Sequence, residues 1–163
     1  MTPTETTCHE IPHGSDEYRR TVALRDAILR KPLNLRFDPA ELAAESDSHH
    51  LVCRVDGALA ACLVLRPDTN GRCQMRQFAV RADLQGRGIG RTLAAYAEEF
   101  ARGRNYTEIV MHARETALGF YETLGYRREG ERFLEVGIPH IVMRKRLGTP
   151  SPCDAPPSTA STT

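Results

Sequence analysis

The sequence predicts a single-domain α/β (α+β) fold: a mixed, mostly antiparallel sheet flanked by helices. Three observations predict it. Two apolar runs, His50–Val55 and Ala58–Leu65, flank Asp56-Gly57, a strong signal for a two-residue hairpin. A third extended run, Cys73–Arg81, follows a turn cluster at Pro67–Gly71 and completes a meander. The apolar period then changes. Ile89, Leu93, Tyr96, Ala97 and Phe100 recur at helical spacing before the next short strand, Glu108–His112, so a helix carries the chain back across the sheet.

The remaining elements follow in order. Ser15 can cap a first helix, with Asp16 and Glu17 in its first turn, and this helix is expected to run to about Arg30, before Pro32. Asp38-Pro39-Ala40-Glu41 reads as a capping box with proline at the first helical position, opening a short helix to about Glu45. His49-His50 reads as a solvated pair at a strand start. Gly103 can end the long helix. Thr116–Leu124 pairs Ala117 with Tyr121 and Phe120 with Leu124 at i,i+4, and Gly125 supplies its C-terminal cap. The last strands fall at Tyr126–Arg128 or Phe133–Val136, and at His140–Leu147. The resulting order is β-β-β-α-β-α-β.

Size and charge narrow the function. At 163 residues the chain can build one substantial core. With 22 basic and 21 acidic side chains and no basic stripe interleaved with aromatics, nothing points to nucleic acid. No apolar run approaches the ~18 residues needed to span a bilayer, and Met1–Glu10 is polar, without a signal-peptide core. These features lead to the expectation of a cytoplasmic protein with no membrane partner. The five cysteines include no Cys-x-x-Cys pair and are expected to be thiols; no metal is expected. Residues 1–5 are read as a flexible N-terminus, 6–147 as the folded domain, and 148–163, rich in Pro, Ser and Thr, as a disordered tail.

The most informative segment is Gln85-Gly86-Arg87-Gly88-Ile89-Gly90, between the third strand and the long helix. A glycine-rich turn at a helix start exposes backbone N–H groups aligned with the helix dipole, which binds phosphate oxygens. A nucleotide-triphosphate loop needs Lys and Ser/Thr after its last glycine, but Gly90 is followed by Arg91 and Thr92. A dinucleotide fingerprint needs glycine at its sixth place, which is Arg91 here. Both are set aside.

Taken with Phe78-Ala79-Val80 before it, and with Ala117, Phe120-Tyr121 and Leu124-Gly125-Tyr126 after it, the loop resembles the GNAT N-acyltransferase superfamily. The loop matches that family's Gln/Arg-x-x-Gly-x-Gly/Ala signature for acetyl-CoA pyrophosphate. Phe120–Tyr126 matches its Phe-Tyr-x-x-x-Gly-Phe/Tyr segment. A finer similarity is to ElaA-like members, through His112-Ala113-Arg114 and Gly137–Met143. Many members carry Asn three residues before the alanine that Ala117 matches; this chain has Arg114.

The resemblance implies a central V-shaped splay between strands and acetyl-CoA as cosubstrate. It implies a donor site formed by Phe78, Ala79, Val80, Gln85, Gly86, Arg87, Gly88, Ile89, Gly90 and Arg91. A bulge near Phe78 would leave backbone groups free for the cofactor amides and for the thioester oxygen. Tyr121 is the expected acid for the leaving thiolate, a phenol of pKa about 10. For the base, His140 and His112 are the candidates, with Glu135 and Glu131 as carboxylate options. The implied reaction is transfer of acetyl from acetyl-CoA to a small-molecule or peptide amine; a CoA-binding module without turnover and an acyl-CoA hydrolase are the alternatives. Homodimers occur in the family.

Overall fold

A computed structural model describes residues 4–148; residues 1–3 and 149–163, with most of the expected flexible N-terminus and tail, lie outside them. Seven strands form one sheet in the order β1-β2-β3-β4-β5-β7-β6. Every neighbouring pair is antiparallel except β4 and β5.

The first strand, β1 (Thr6–Ile11), was not expected; Glu5 just before it donates its N–H to the Asp56 carboxylate and accepts from the Asp56 N–H. It pairs along the edge of β2 (His49–Val55) and sets Cys8 opposite Cys53. These two cysteines are disulfide-bonded, with Cα atoms 4.2 Å apart, which corrects the expectation that all are thiols. Cys62 and Cys73 are free and buried.

Helix α1 (Asp16–Arg25) is capped by Ser15, whose hydroxyl accepts from the Tyr18 N–H. It does not stop before Pro32. The chain stays helical through a π turn, Asp26–Arg30, and a 3-10 turn, Lys31–Leu33, until Asn34 turns left-handed at φ 56°. Proline is accepted there because the first residues of a helical turn need no N–H partner. Asp38 caps α2 (Pro39–Ala43) by accepting from the Ala40 N–H. His50 is buried against the Glu45 carbonyl, and His49 meets the Glu10 carboxylate, so they are not a solvated pair.

Strands β2 and β3 (Ala58–Pro67) join through Asp56-Gly57, both at positive φ as a type I′ turn requires. Asn70-Gly71 repeats that geometry before β4 (Arg72–Val80). Helix α3 (Ile89–Gly103) crosses back to β5 (Glu108–Arg114) and buries Ile89, Leu93, Ala97 and Ala101 against Leu51, Leu63 and Leu65. The opposite sheet face packs Val52, Cys62 and Ala79 under Tyr18 and Val22 of α1.

After α4 (Leu118–Thr123), the chain returns as a hairpin of β6 (Arg127–Glu135) and β7 (Ile138–Arg146). The two alternatives for the penultimate strand are parts of one long strand, interrupted by a register shift between Glu129 and Phe133.

Candidate active site

Strands β4 and β5 pair in parallel only from Arg72↔Glu108 to Met75↔Met111. Beyond Met75 the two strands separate, although β4 continues to Val80 and β5 to Arg114. A register shift against β3 lies at the same place, and Gln77 sits at φ 55° within it. The extra residue bends β4 away from β5. The facing edges of both strands are left without a strand partner, and the gap opens the sheet into a V.

A cleft of about 430 Å³ occupies this gap. Phe78, Ala117 and Tyr121 line it from one side of the sheet. His112, Arg114, Glu135 and His140 line it from the other, with Leu29, Arg30 and Glu41 from the α1–α2 layer.

The glycine loop lies past the end of β4. Gly86 and Gly88 adopt φ 79° and 83°, left-handed angles that cost an L-residue strain. Gly90 is instead helical, and a β-carbon there would make ordinary contacts, 3.4 Å from Val80 Cγ2, 3.5 Å from Phe120 Cζ and 3.7 Å from Phe78 Cε1. Phe78 thus touches both loop and cleft. The Gln85 amide donates to the Val80 carbonyl at 3.0 Å and ties the loop to the strand.

Gly88 is the N-cap of α3, so no side chain satisfies the first N–H groups of the longest helix, whereas Ser15 and Asp38 cap α1 and α2. No acidic residue stands in that first turn. Arg87 is exposed, and Arg91 donates to the Thr123 hydroxyl at 3.2 Å, bridging α3 to α4. Ile89 is buried in the core below. Ala79 is buried too, paired with Cys62 on the far side of β4 from the gap. The uncapped helix start and the unpaired β4 edge suit an extended diphosphate-bearing ligand.

Tyr121 is partly buried in an aromatic cluster, its ring centroid 5.1 Å from Phe120, 5.9 Å from Tyr126 and 6.3 Å from Phe78. Burial pushes its pKa up to about 12, against a smaller downward pull from the Arg114 charge. The phenol is therefore fully protonated at neutral pH and a weaker acid than its free counterpart.

His140 is buried, and His112 is more open. Strand register puts Arg114 opposite His140, and His140 opposite Phe133. By alternation, His112 and Arg114 on β5, His140 on β7, and Phe133 and Glu135 on β6 share one face. The Glu135 carboxylate lies between the histidines, 3.0 Å from His112 Nδ1 and 3.6 Å from His140 Nε2. His140 Nδ1 stands 2.7 Å from the Ile138 carbonyl. A carbonyl only accepts, so Nδ1 carries a proton, and Nε2 is the ring atom left to exchange a proton beside Glu135.

All three expected catalytic side chains thus border one cleft, and Glu135 joins them. Glu131 is exposed on β6 and does not line it. Arg30, Glu41 and Gln77 were missed. They were read only as the end of the first helix, part of a capping box and part of the third strand, with no signal that they face one cleft. Among the described residues no group of three or more His, Cys, Asp or Glu is arranged to hold a metal ion. None of their helices is long and apolar enough to cross a membrane.

A family model for an acetyltransferase (GNAT) domain matches residues 26–147. The Bacillus subtilis protein YyaT is 35% identical over 60 residues, which cover 37% of this chain; the match spans only 40% of that relative's length. Among solved structures, a chain assigned as an N-acetyltransferase from Lactobacillus plantarum superposes with a TM-score of 0.74 at 26% identity, covering 90% of this chain and 99% of that one. Escherichia coli ElaA gives 0.73 at 19% identity over 86% and 99% of the two chains, a likeness of fold. An acetyltransferase from Elizabethkingia anophelis, solved with acetyl-CoA bound, gives 0.68 at 18% over 87% and 98%.

Proposed function

The chain belongs to the GNAT acetyltransferase family, and on that premise we propose that it transfers the acetyl group of acetyl-CoA to a primary amine by direct attack. The observation that carries this reading is the junction at Phe78. That ring meets a glycine loop at an uncapped helix start and also lines the cleft that Tyr121, Glu135 and His140 border. Acetyl-CoA bound to a relative of the same fold supports the choice of donor.

In this reading the N–H groups from Gly86 to Arg91 hold the donor's pyrophosphate, with Arg87 at the solvent side. The free edge of β4 from Arg76 to Val80 pairs with the amides of the pantetheine arm as an added strand would. An N–H near Phe78 polarises the thioester carbonyl, an interaction worth roughly 3–4 kcal/mol. His140 Nε2 takes a proton from the ammonium form of the acceptor, and Glu135 stabilises the imidazolium that results. The amine nitrogen bonds to the carbonyl carbon, and the C–S bond breaks with its electron pair on sulfur. Tyr121 gives its proton to that sulfur, and the second proton that the nitrogen sheds on becoming an amide restores the phenol. Burial makes this phenol a weak acid, but the thiolate forms beside the same apolar cluster and is made more basic by it.

Thiol release from acetyl-CoA, followed with and without a panel of primary amines, tests the reading. It requires release that depends on an amine. Release without amine would make the protein a hydrolase, and binding without release would make it a CoA-binding module.

A further inference from the structure

The acceptor cleft carries an unbalanced charge, and that imbalance indicates a substrate class. Three arginines line it. Arg30 reaches the Glu41 carboxylate at 3.9 Å. Arg76 and Arg114 have no carboxylate within ion-pair distance among the described residues. Arg76 is exposed and loses little by this. Arg114 is part-buried, and one of its Nη2 hydrogens is committed to the Leu29 carbonyl at 3.0 Å. That bond fixes the guanidinium against the π turn that follows α1 and leaves its other donors without a hydrogen-bond partner among the described residues.

A part-buried cation with no counter-ion is costly. Burial, together with the neighbouring Arg30 charge, holds the Arg114 guanidinium below its usual range. Directly across the β5–β7 ladder stands His140, with Glu135 against its Nε2. The cleft thus sets a cationic group and a basic, anionic pair at facing positions of adjacent strands, one site for each charge of a small zwitterion.

We propose that the acceptor is an amine that also carries a carboxylate, an amino-acid-like molecule whose carboxylate pairs with Arg114 while its amine faces His140 and Glu135. This rests on the amine-acetyltransferase reading above. The guanidinium offers paired N–H donors in the plane a carboxylate needs, and a hydrogen bond of this charged kind contributes about 1.5–3 kcal/mol. Discrimination against the same amine without its carboxylate is then roughly 10- to 100-fold.

The test measures kcat/KM of the full chain with acetyl-CoA for matched acceptors, each amino acid against its own carboxamide. Each pair is compared across pH, so that the differing amine pKa is removed. The proposal requires that the acids be preferred by about 10- to 100-fold, that Arg114→Gln bring the ratio close to one, and that Arg114→Lys keep part of it. Acids and amides used equally by the wild-type protein would overturn the proposal and leave the acetyltransferase reading standing. A preference that survives Arg114→Gln would also overturn it. Absence of transfer to any amine would remove the acetyltransferase reading and this proposal with it. The wild-type ratio decides even where a variant folds poorly.

Discussion

His140 donates its Nδ1–H to the carbonyl of Ile138, 2.7 Å away on the same strand. That bond holds the proton on Nδ1 and orients Nε2 toward Glu135, where the carboxylate favours the protonated ring. His112 also meets Glu135, and Arg114 faces His140 from β5, so three charged or titratable neighbours surround the ring. The expected outcome for His140→Ala is a fall in kcat/KM of about 10- to 100-fold at neutral pH. His112→Ala should lose less. Activity of His140→Ala within about 3-fold of the wild type would assign the base elsewhere.

Tyr121→Phe should lower kcat about 10-fold or more while the dissociation constant for acetyl-CoA stays within about 3-fold. Turnover near wild type would take the phenol out of the chemistry.

The same tyrosine gives a pH signature in stability. Its folded pKa is raised to about 12 from about 10 in the unfolded chain, so the folded state holds the proton more tightly. The contribution is complete below pH about 10 and is lost as pH rises through about 12. Chemical denaturation of the wild type should show stability falling across that window, by about 2–3 kcal/mol from Tyr121. Tyr121→Phe should fall less steeply, the remaining slope coming from other groups raised by burial, among them Tyr18, Tyr126 and the Cys62 and Cys73 thiols. Equal slopes would contradict the burial of the phenol.

Gly88 and Gly90 should respond differently to alanine. Gly88→Ala forces a β-carbon onto a φ of 83° and should cost about 1 kcal/mol or more, with weaker binding of acetyl-CoA. At Gly90 the added carbon meets neighbours at ordinary contact distance in a helical backbone. Gly90→Ala should therefore stay within about 0.5 kcal/mol of the wild type, as the gain in helix propensity offsets the tighter packing. Thermal melts of the two variants, with and without acetyl-CoA, separate the roles.

The turn between β6 and β7 contains a strained residue beside the cleft. Val136 is exposed and held at φ 48°, an angle that β-branched side chains rarely adopt. Replacing Val136-Gly137 with Asn-Gly supplies the preferred type I′ pair, and Val136→Asn should add about 1 kcal/mol, or roughly 3 °C in Tm. A lower Tm would show that the valine side chain contributes more than its backbone angle costs.

Much of this architecture was legible because its signals are local. Asp56-Gly57 marked its hairpin, Ser15 and Asp38 marked their helix starts, and the apolar stripe from Ile89 to Phe100 marked α3. β1 was not legible: Thr6–Ile11 buries a single hydrophobic residue, Ile11, and shows no apolar alternation. Without that strand there was no reason to set Cys8 beside Cys53. β6 is almost wholly exposed and broken at Gly130, so no alternation revealed its length. At the site, the loop was readable because three glycines in six residues have few other uses. The grouping of His112, Glu135 and His140 depends on the register of three strands, and Arg114 gained meaning only when His140 was found opposite it.

The most direct test of the central claim is a product balance: acetyl-CoA and an amino-acid acceptor are incubated with the protein, and free CoA and acetylated amine are quantified together by mass spectrometry. The account predicts one acetylated amine for each CoA released, at a rate that collapses in Tyr121→Phe. CoA released without acetylated amine, or equal rates in the two proteins, would contradict it.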